Sequence, residues 1–395
     1  MATTQSPPAY STRTRVAPGA LGRMSRNPAS AWRHIDMVLV GSILSVSALG
    51  CLMIFSATRG RDPSDFDTSF LLKQGLFVAG GVVAMLVTTL VDYRRYRDLV
   101  PVAYLGVLSL LLLVVSGLGS ERKGSQAWFA LGPFQLQPSE LAKVVVIVAL
   151  ASLIAHFNSE LDAARLAGAL ALVGVPMALI MLQPDLGTTL VFVAVSMGML
   201  LIGGAQIRHI VALTLVGVVG VGLVLNSGML ETYQQCRLTS FLEQHNQDCE
   251  ERDAAYNLDQ AKVAIGSGGV TGAGLFEGTQ TRLDIVPEQH TDFIFTAVGE
   301  ELGFVGAGTL LALLSIIAWR IWRTAQLARD PLGTLICIGV LSMFVFQVFE
   351  NIGMTMGIMP ITGIPLPFMS YGGSSTLTAF ICMGLVLNVH MRRFT

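Results

Sequence analysis

The chain has 395 residues, of which 52% are hydrophobic and only 13% are charged, with a formal net charge of −1. Soluble domains carry about 25% charged residues, and apolar runs of about 18 or more residues recur along this sequence, so the composition excludes a soluble globular protein. The runs are continuous rather than alternating, which also excludes a transmembrane β-barrel. We predict an all-α polytopic membrane protein and expect no nucleic-acid partner.

The first 34 residues are polar, and they contain five arginines: Arg13, Arg15, Arg23, Arg26 and Arg33. Proline and serine accompany these arginines, which is typical of a disordered segment. No cleavable signal peptide is apparent, because the apolar run that follows is long enough to span a membrane. We therefore expect a disordered basic cytoplasmic tail at 1–34 and one membrane domain at 35–395.

Apolar runs predict about ten transmembrane helices. They lie at about 35–57, 70–92, 99–118, 139–157, 166–183, 188–204, 209–229, 291–319, 332–352 and 375–391. Ten spans place both termini on one side. Cations concentrate after the even-numbered spans, and these are Arg94, Arg95, Arg97, Arg165, Arg208, Arg320, Arg323, Arg329, Arg392 and Arg393. The positive-inside rule then predicts that both termini are cytoplasmic.

The predicted outer face receives most of the unusual polar sequence. Its loops lie at 119–138, 183–188, 353–374 and, between spans seven and eight, about 230–290. A transporter more often places its special residues near the midplane, in broken helices. This distribution therefore favours work at the external leaflet.

The first outer loop leads into a helix that begins at Pro138, with Ser139 as its predicted cap. Glu140 and Lys143 are three residues apart, so they can pair at the membrane edge, either as a structural ion pair or close to a site.

Three other residues of the outer loops are candidate contacts. Arg122 and Lys123 can hold a pyrophosphate, whereas Trp128 suits the membrane interface as an anchor or as a substrate contact. Asp185, in the short turn after span five, either caps span six through a main-chain amide or lies near the substrate or a cation.

The segment at about 230–290 is rich in glycine, with Gly266, Gly268, Gly269, Gly272, Gly274 and Gly278 close together. Such runs form amide nests for phosphate, or flexible loops. Lys262 and Arg282 flank the run and can neutralise a pyrophosphate. Cys236 and Cys249 lie in the same segment, and on an oxidising face they are a candidate disulfide pair.

A polar turn becomes an apolar helix within Val286–Gly303. Glu288, His290 and Asp292 lie at this change of solvent, where ionisable groups are costly. Two interpretations of Asp292 stay open. It is either an acid in the first helical turn, with Thr291 as the cap, or a carboxylate poised as a general base at the leaflet boundary.

Four further polar groups lie inside apolar runs and need partners. Glu300 and Glu301 follow the polar turn by about two helical turns, and we expect them to be buried structural groups. Glu350 and Asn351 precede a segment that cannot be one helix, because it contains Pro360, Pro365 and Pro367. Such a segment suits a re-entrant loop that lines a cavity in the protein.

Seven segments in this order resemble the SEDS family (shape, elongation, division and sporulation), which includes bacterial RodA and FtsW. They are Lys123–Trp128, Gln137–Lys143, Gln183–Thr188, Ala264–Gly269, Pro287–Phe295, Gly299–Phe304 and Pro365–Ser375. The resemblance runs from about residue 35 to the end of the chain. Two segments, 278–284 and 362–367, look more like RodA than FtsW.

The resemblance implies a ten-span peptidoglycan glycosyltransferase of the bacterial plasma (inner) membrane. It would polymerise lipid II at the outer leaflet for cell elongation and shape, with a class B penicillin-binding protein, a transpeptidase, as its partner. The family's essential acid corresponds to Asp292. One departure is Ala127, where the family usually has Arg, so any phosphate contact of that Arg would fall to Arg122 or Lys123.

On this hypothesis Asp292 removes the proton of the acceptor hydroxyl, and undecaprenyl pyrophosphate leaves. The leaving charge would be stabilised by cations, glycine amides or a divalent ion, Mg²⁺ or Mn²⁺. The expected substrate-binding residues are Arg122, Lys123, Trp128, Lys262, Arg282, Glu288, His290, Ser370 and Tyr371. Alternatives are an FtsW-type division polymerase, a lipid II flippase, a scaffold for transpeptidases and an ion transporter.

Overall fold

The computed structural model describes residues 34–59, 67–122, 125–132, 134–157, 161–226, 253–283 and 285–393. Within these ranges the chain is mostly helical. Its helices are α1 (Met37–Thr58), α2 (Ser69–Leu90), α3 (Tyr93–Leu113), α4 (Pro138–His156), α5 (Ala163–Met181), α6 (Leu186–Ile202), α7 (Ile207–Asn226), α8 (Asp253–Ser267), α9 (Thr279–Arg282), α10 (Ile294–Leu327), α11 (Pro331–Thr355) and α12 (Gly373–Met391). A π-helical turn, Val114–Leu118, continues α3.

Eight of the described helices are long and apolar enough, by length and composition, to cross a membrane. They are α1, α2, α3, α4, α5, α10, α11 and α12. Two shorter apolar helices, α6 and α7, occupy the remaining two positions where the sequence predicts spans. The all-α, multi-span architecture predicted from the apolar runs is therefore confirmed.

Small residues let the central helices approach closely. A Cβ at Gly81 of α2 would lie 2.4 Å from the Phe380 ring of α12, and one at Gly384 of α12 would lie 2.7 Å from the Met85 carbonyl oxygen of α2. Close approach of helix backbones through small residues is the usual way in which membrane helices gain packing energy. This contact brings the segment that precedes α12 against α2.

Polar contacts join the helices at the end of the bundle where the described chain begins and ends. Arg320, near the end of α10, pairs with Asp36 at 2.6 Å, and Asp36 also caps α1. Asn388 of α12 accepts a hydrogen bond from the Tyr93 amide at 3.1 Å. The Thr324 hydroxyl of α10 also lies 3.2 Å from His390 Nδ1 of α12. The start of α1 and the end of α12 thus lie on one side of the bundle.

The opposite end carries the loops that the sequence analysis singled out, and we call it the site end. The first loop there is a three-stranded antiparallel sheet, β1 (Ser120–Arg122), β2 (Ser125–Leu131) and β3 (Phe134–Leu136), which the apolar pattern did not predict. The predicted cap of α4 is wrong: Gln137 is the N-cap and Ser139 lies inside the helix, where its hydroxyl has no partner among the described residues.

Candidate functional site

The candidate base, Asp292, lies outside the helix that follows it. Helix α10 begins at Ile294 with Phe293 as its N-cap, and residues 287–293 form turns. The interpretation of Asp292 as an acid of the first helical turn capped by Thr291 is therefore wrong. Asp292 is half-buried in a non-helical turn, so its position depends on contacts that this turn makes with other elements.

Two main-chain contacts hold this turn against the last helices. The side-chain amide of Asn351, in α11, donates to the Asp292 carbonyl oxygen at 2.8 Å and to the Ile364 carbonyl oxygen at 2.8 Å. The Tyr371 amide donates to the His290 carbonyl oxygen at 3.0 Å. Both donors come from the region 351–375, so the segment that precedes α12 and the turn of Asp292 form one unit.

Glu288 stabilises the turn locally. Its carbonyl oxygen accepts from the Thr291 amide at 3.1 Å, and its carboxylate accepts from the Thr291 hydroxyl at 3.0 Å. The backbone of Glu288 has a φ of 56°, a left-handed conformation that non-glycine residues rarely adopt. Such a conformation persists only where neighbouring contacts impose it.

Five aromatic side chains form a continuous cluster beside the turn, which we call the aromatic wall: Phe70, Phe77, Phe134, His290 and Tyr371. His290 lies 5.2 Å from Phe70 and 5.7 Å from Tyr371, measured between ring centroids. Tyr371 continues the cluster to Phe70 at 5.2 Å and to Phe77 at 6.0 Å, and Phe77 reaches Phe134 at 5.8 Å. Burial raises the pKa of Tyr371, so its hydroxyl stays a neutral hydrogen-bond donor near pH 7.

The carboxylate of Glu300 is buried and fully engaged. It accepts hydrogen bonds from the Gln280 amide at 2.7 Å, the Thr281 amide at 2.9 Å and the Thr281 hydroxyl at 2.7 Å. It therefore satisfies the open amides at the start of the short helix α9. Its role in these contacts is to hold α9 against α10, as expected for a buried structural group near the site.

Glu301 connects α10 to the first helix. Its carboxylate accepts from the Ser56 hydroxyl of α1 at 2.5 Å. Arg59, the residue that follows α1 as its C-cap, donates to the Phe276 carbonyl oxygen at 2.5 Å and lies over the Phe276 ring at 4.6 Å. The segment 268–283 is thereby fastened to both α1 and α10.

The glycine-rich segment packs its backbone against α10. The Ala273 amide donates to the Glu300 carbonyl oxygen at 2.9 Å and the Gly274 amide donates to the Glu301 carbonyl oxygen at 3.1 Å. A Cβ at Gly268 would lie 1.9 Å from the Gly299 carbonyl oxygen. The predicted phosphate nest is wrong for the Ala273 and Gly274 amides, because carbonyl oxygens of α10 already accept from them. Gly268 and Gly272 allow the backbone of this segment to pack closely on α10.

The two predicted phosphate contacts of this segment, Lys262 and Arg282, lie on different helices, α8 and α9. The Lys262 ammonium is 4.0 Å from the Asp259 carboxylate, and a Cβ at Gly357 would lie 2.6 Å from Lys262 Cε, so Lys262 borders the segment that follows α11. Arg282 is exposed at the end of α9. Both cations therefore lie at the site end.

Glu140 and Lys143 form a buried ion pair, with the ammonium 2.6 Å from the carboxylate. Glu140, Gln347 and Ser370 line an adjacent cavity of about 10 Å³, together with Met343, Pro365, Leu366, Pro367, Phe368, Ser375, Thr376, Thr378 and Ala379. A polar cavity of roughly this size holds about one water molecule. The pair thus lies beneath the segment that carries Ser370 and Tyr371.

Asp185 caps α6, as one of its two interpretations predicts. Its carboxylate accepts from the Thr188 amide at 2.9 Å and from the Gln137 side-chain amide at 3.2 Å. The Gln137 main-chain amide in turn donates to the Ser374 hydroxyl at 3.0 Å. Asp185 therefore connects the starts of α4, α6 and α12.

Several predicted site residues have little or no described geometry. Lys123, Cys236 and Cys249 lie outside the described residues, so the disulfide pair stays a prediction. Arg122 is the last residue of β1, and Trp128 is half-buried in β2, where its carbonyl oxygen accepts from the Ser120 hydroxyl at 3.1 Å. The described residues contain no group of three or more His, Cys, Asp or Glu side chains that could hold a metal ion.

Some residues that build the site were not predicted from the sequence, among them Phe70, Phe77, Thr281 and Gln289. Phe70 and Phe77 are seven residues apart on α2, so helical spacing indicates that they share a face, but not what they meet. Thr281, on the short helix α9, and Gln289, in the turn that follows it, are ordinary polar residues. Only their contacts, described below, distinguish them.

The comparisons with known proteins agree with this architecture. The sequence model of the FtsW/RodA/SpoVE family, described as cell cycle protein, matches residues 36–394. The stage V sporulation protein E of Bacillus subtilis is 38% identical over 360 residues, which cover 90% of this chain and 96% of that protein. The peptidoglycan glycosyltransferase MrdB of Escherichia coli K12 is 33% identical, with 91% and 94% covered.

A solved chain described under "Structural coordination of polymerization and crosslinking by a peptidoglycan synthase complex" has the same fold. Its TM-score is 0.76 at 31% identity, and the match covers 92% of this chain and all of that chain. The identity to the sporulation protein exceeds that to MrdB, so the preference for RodA over FtsW stays a prediction. The SEDS resemblance itself is confirmed: the chain belongs to the FtsW/RodA/SpoVE family.

Proposed function

We propose that this protein is a peptidoglycan glycosyltransferase that polymerises lipid II into glycan strands at the outer leaflet of the bacterial plasma membrane. The relative MrdB is itself named a peptidoglycan glycosyltransferase, and it shares 33% identity over nearly its whole length. The observation that carries the proposal is the half-buried Asp292, which lies in a turn held by Asn351 and Tyr371.

Asp292 acts as the general base in this proposal. A general base must lie where a substrate hydroxyl can reach it, and a group on a rigid turn meets that requirement better than one on a loose loop. Asp292 would take the proton of the acceptor sugar hydroxyl as that oxygen attacks the anomeric carbon of the donor. The α-linked donor then gives a β-linked product by a single displacement.

The leaving group is undecaprenyl pyrophosphate, and its developing charge needs positive neighbours. Lys262 and Arg282 are at the site end, and Arg122 ends β1 of the sheet there; we propose these side chains, with Lys123, as phosphate contacts. A bound divalent ion, Mg²⁺ or Mn²⁺, would supply the same kind of stabilisation. Because the leaving group is already good, a second catalytic carboxylate of the glycosidase type is unnecessary.

The aromatic wall supports a place for the sugar or its lipid next to Asp292. His290 lies two residues before Asp292, and Tyr371 contacts both His290 and the α2 residues Phe70 and Phe77. Aromatic faces bind apolar surfaces, and the Tyr and His edges add polar contacts. Trp128, Glu288, His290, Ser370 and Tyr371 are therefore our proposed substrate contacts in this region.

A class B penicillin-binding protein is the proposed partner, because the structurally similar chain is described with polymerization and crosslinking in one synthase complex. We propose a role in cell elongation and shape from the two segments that look more like RodA. A division role of the FtsW type is the alternative.

Reconstitution separates the proposed function from its rivals. Purified protein in lipid vesicles would be given fluorescent lipid II, with glycan products separated by length and outward movement of lipid measured in parallel. A polymerase gives long glycan strands. Movement of lipid II without strands would indicate a flippase, and neither product, with or without the transpeptidase partner, would contradict the proposal.

A further inference from the structure

A chain of buried hydrogen bonds leads from Glu300 to the turn that carries Asp292. Its members are Glu300, Thr281, Gln289 and Thr296, whose exposed fractions are 1%, 3%, 2% and 0%. They come from three separate pieces of the chain, namely α10, α9 and the turn itself.

The direction of each hydrogen bond is set by the donor and acceptor chemistry. The Thr281 hydroxyl gives its only proton to the Glu300 carboxylate at 2.7 Å. It therefore presents a lone pair to the Gln289 side-chain amide, which donates to it at 2.9 Å. Glu300 thus determines how Thr281 is oriented, and Thr281 in turn determines where Gln289 is held.

The second proton of the same amide closes the chain on α10. Gln289 donates to the Thr296 hydroxyl at 3.0 Å, and that hydroxyl donates to the Phe293 carbonyl oxygen at 2.7 Å. Gln289 precedes Asp292 by three residues and Phe293 follows it directly. The chain therefore holds the backbone on both sides of Asp292.

We infer that Gln289, with Thr281 and Glu300 behind it, is a positioning residue that sets the orientation of the Asp292 carboxylate for proton transfer. The inference rests on the proposed function, in which Asp292 is the base. The contacts from Asn351 and Tyr371 reach carbonyl oxygens of the turn from outside, whereas Gln289 braces the turn from within. Loss of the brace would leave the turn in place but change the direction of its carboxylate.

The test uses Thr281→Val, which keeps the shape of the side chain and removes the hydroxyl. We expect kcat for glycan formation to fall about 10- to 100-fold, since a small misplacement of a catalytic group has an effect of this order. KM for lipid II should change by less than about threefold, because substrate contacts are retained. Thr281→Ser restores the hydroxyl and should restore kcat.

Thr279→Val is the matched control, because Thr279 lies on the same short helix with an exposed side chain. It should leave kcat unchanged. Hydrogen exchange at the amides of 289–293 reports the turn directly and should be faster in Thr281→Val than in Thr279→Val.

A normal kcat in folded Thr281→Val, or a loss of kcat that Thr281→Ser does not restore, would overturn the inference. If Thr281→Val does not fold, Thr296→Val and Thr296→Ser test the hydrogen bond from Gln289 to the Thr296 hydroxyl in the same way. Thr296→Val should then lower kcat and Thr296→Ser should restore it. Failure of both valine variants to fold would mean that the chain is needed for folding alone, which also overturns it. Asp292→Asn run alongside keeps the two claims apart: full activity in that variant would contradict the base assignment itself, whatever Thr281→Val does.

Discussion

The side-chain amide of Asn351 donates a hydrogen bond to the Asp292 carbonyl oxygen at 2.8 Å and a second one to the Ile364 carbonyl oxygen at the same distance. One buried side chain thus joins α11, the turn of the candidate base and the segment that precedes α12. Because the contact is to the main chain, it fixes the position of the Asp292 backbone from which the side chain extends.

Asn351→Asp should destabilise the protein and stop glycan formation. The ionised carboxylate has the same shape but cannot donate, so the Ile364 and Asp292 carbonyl oxygens lose their partner. The cost is roughly 1 to 3 kcal/mol for the buried Ile364 oxygen and less for the half-buried Asp292 oxygen. Thermal unfolding in detergent measures the first effect and a lipid II polymerisation assay the second. Unchanged stability and activity in Asn351→Asp would show that this contact does not hold the turn.

The stability of the end opposite the site should depend on pH through Asp330. Burial opposes ionisation of this carboxylate, but hydrogen bonds from the Gly333 amide, Tyr93 and Arg94 outweigh it and hold its pKa below the ordinary value. A lowered native pKa stabilises the fold above the unfolded pKa of about 3.9, and this contribution is lost as the pH falls through the native pKa.

Asp330→Asn should therefore be less stable than the unsubstituted protein at pH 7, and the difference should shrink below about pH 4. Thermal unfolding from pH 7 to pH 3 measures it. Asp98→Asn is the control, because Asp98 is exposed and makes only a 3.7 Å contact with Arg97. A difference that stays constant with pH would argue against the ionised Asp330 network.

Gly268→Ala should be poorly tolerated, whereas Gly266→Ala should be harmless. The added Cβ at Gly268 would lie 1.9 Å from the Gly299 carbonyl oxygen, and at Gly266, in α8, it would meet nothing within 4 Å. Overpacking against backbone costs about 1 to 3 kcal/mol, while alanine in a helix gains roughly 0.5 to 1 kcal/mol over glycine. Unfolding midpoints of the two variants in detergent test the packing of the glycine-rich segment on α10, and equal stability would contradict it.

The effects of substituting Glu140 and Lys143 on the free energy of unfolding should be strongly non-additive. Removing one partner leaves a buried charge unpaired and costs about 3 to 5 kcal/mol, whereas replacing both with apolar residues is often neutral. Glu140→Leu and Lys143→Met should each destabilise the protein, and the double variant should recover most of the loss. If the double variant regains stability and activity, the pair is structural; if it regains only stability, the pair acts in the site. A double variant as unstable as the singles would contradict the coupling.

Much of the architecture could be predicted because apolar runs report membrane spans directly. The predicted bounds were least accurate for the eighth span, because the apolar run indicated 291–319 while α10 extends from Ile294 to Leu327. Its backbone leaves the helical conformation at Gly303, where φ is 63°. A Cβ there would lie 2.2 Å from the Gly272 amide nitrogen, so the break is imposed by a segment about 30 residues earlier, which local periodicity cannot reveal.

The site was predictable only in part. Asp292 could be found because charge placed it at a membrane boundary and the family resemblance singled it out. Phe70, Thr281 and Gln289 could not be found, because each acquires its role through a contact between distant segments. The glycine-rich segment shows the converse: its composition fits a phosphate nest, but the carbonyl oxygens of Glu300 and Glu301 already occupy two of its amides.

The most direct test of the account is lipid II polymerisation by reconstituted Asp292→Asn. Asp98→Asn is the control, because 73% of the Asp98 side chain is exposed and the residue lies on α3, away from the site end. The account predicts that Asp292→Asn folds, as judged by its unfolding midpoint, and forms no glycan, while Asp98→Asn polymerises like the unsubstituted protein. Normal glycan strands from Asp292→Asn would contradict the central claim.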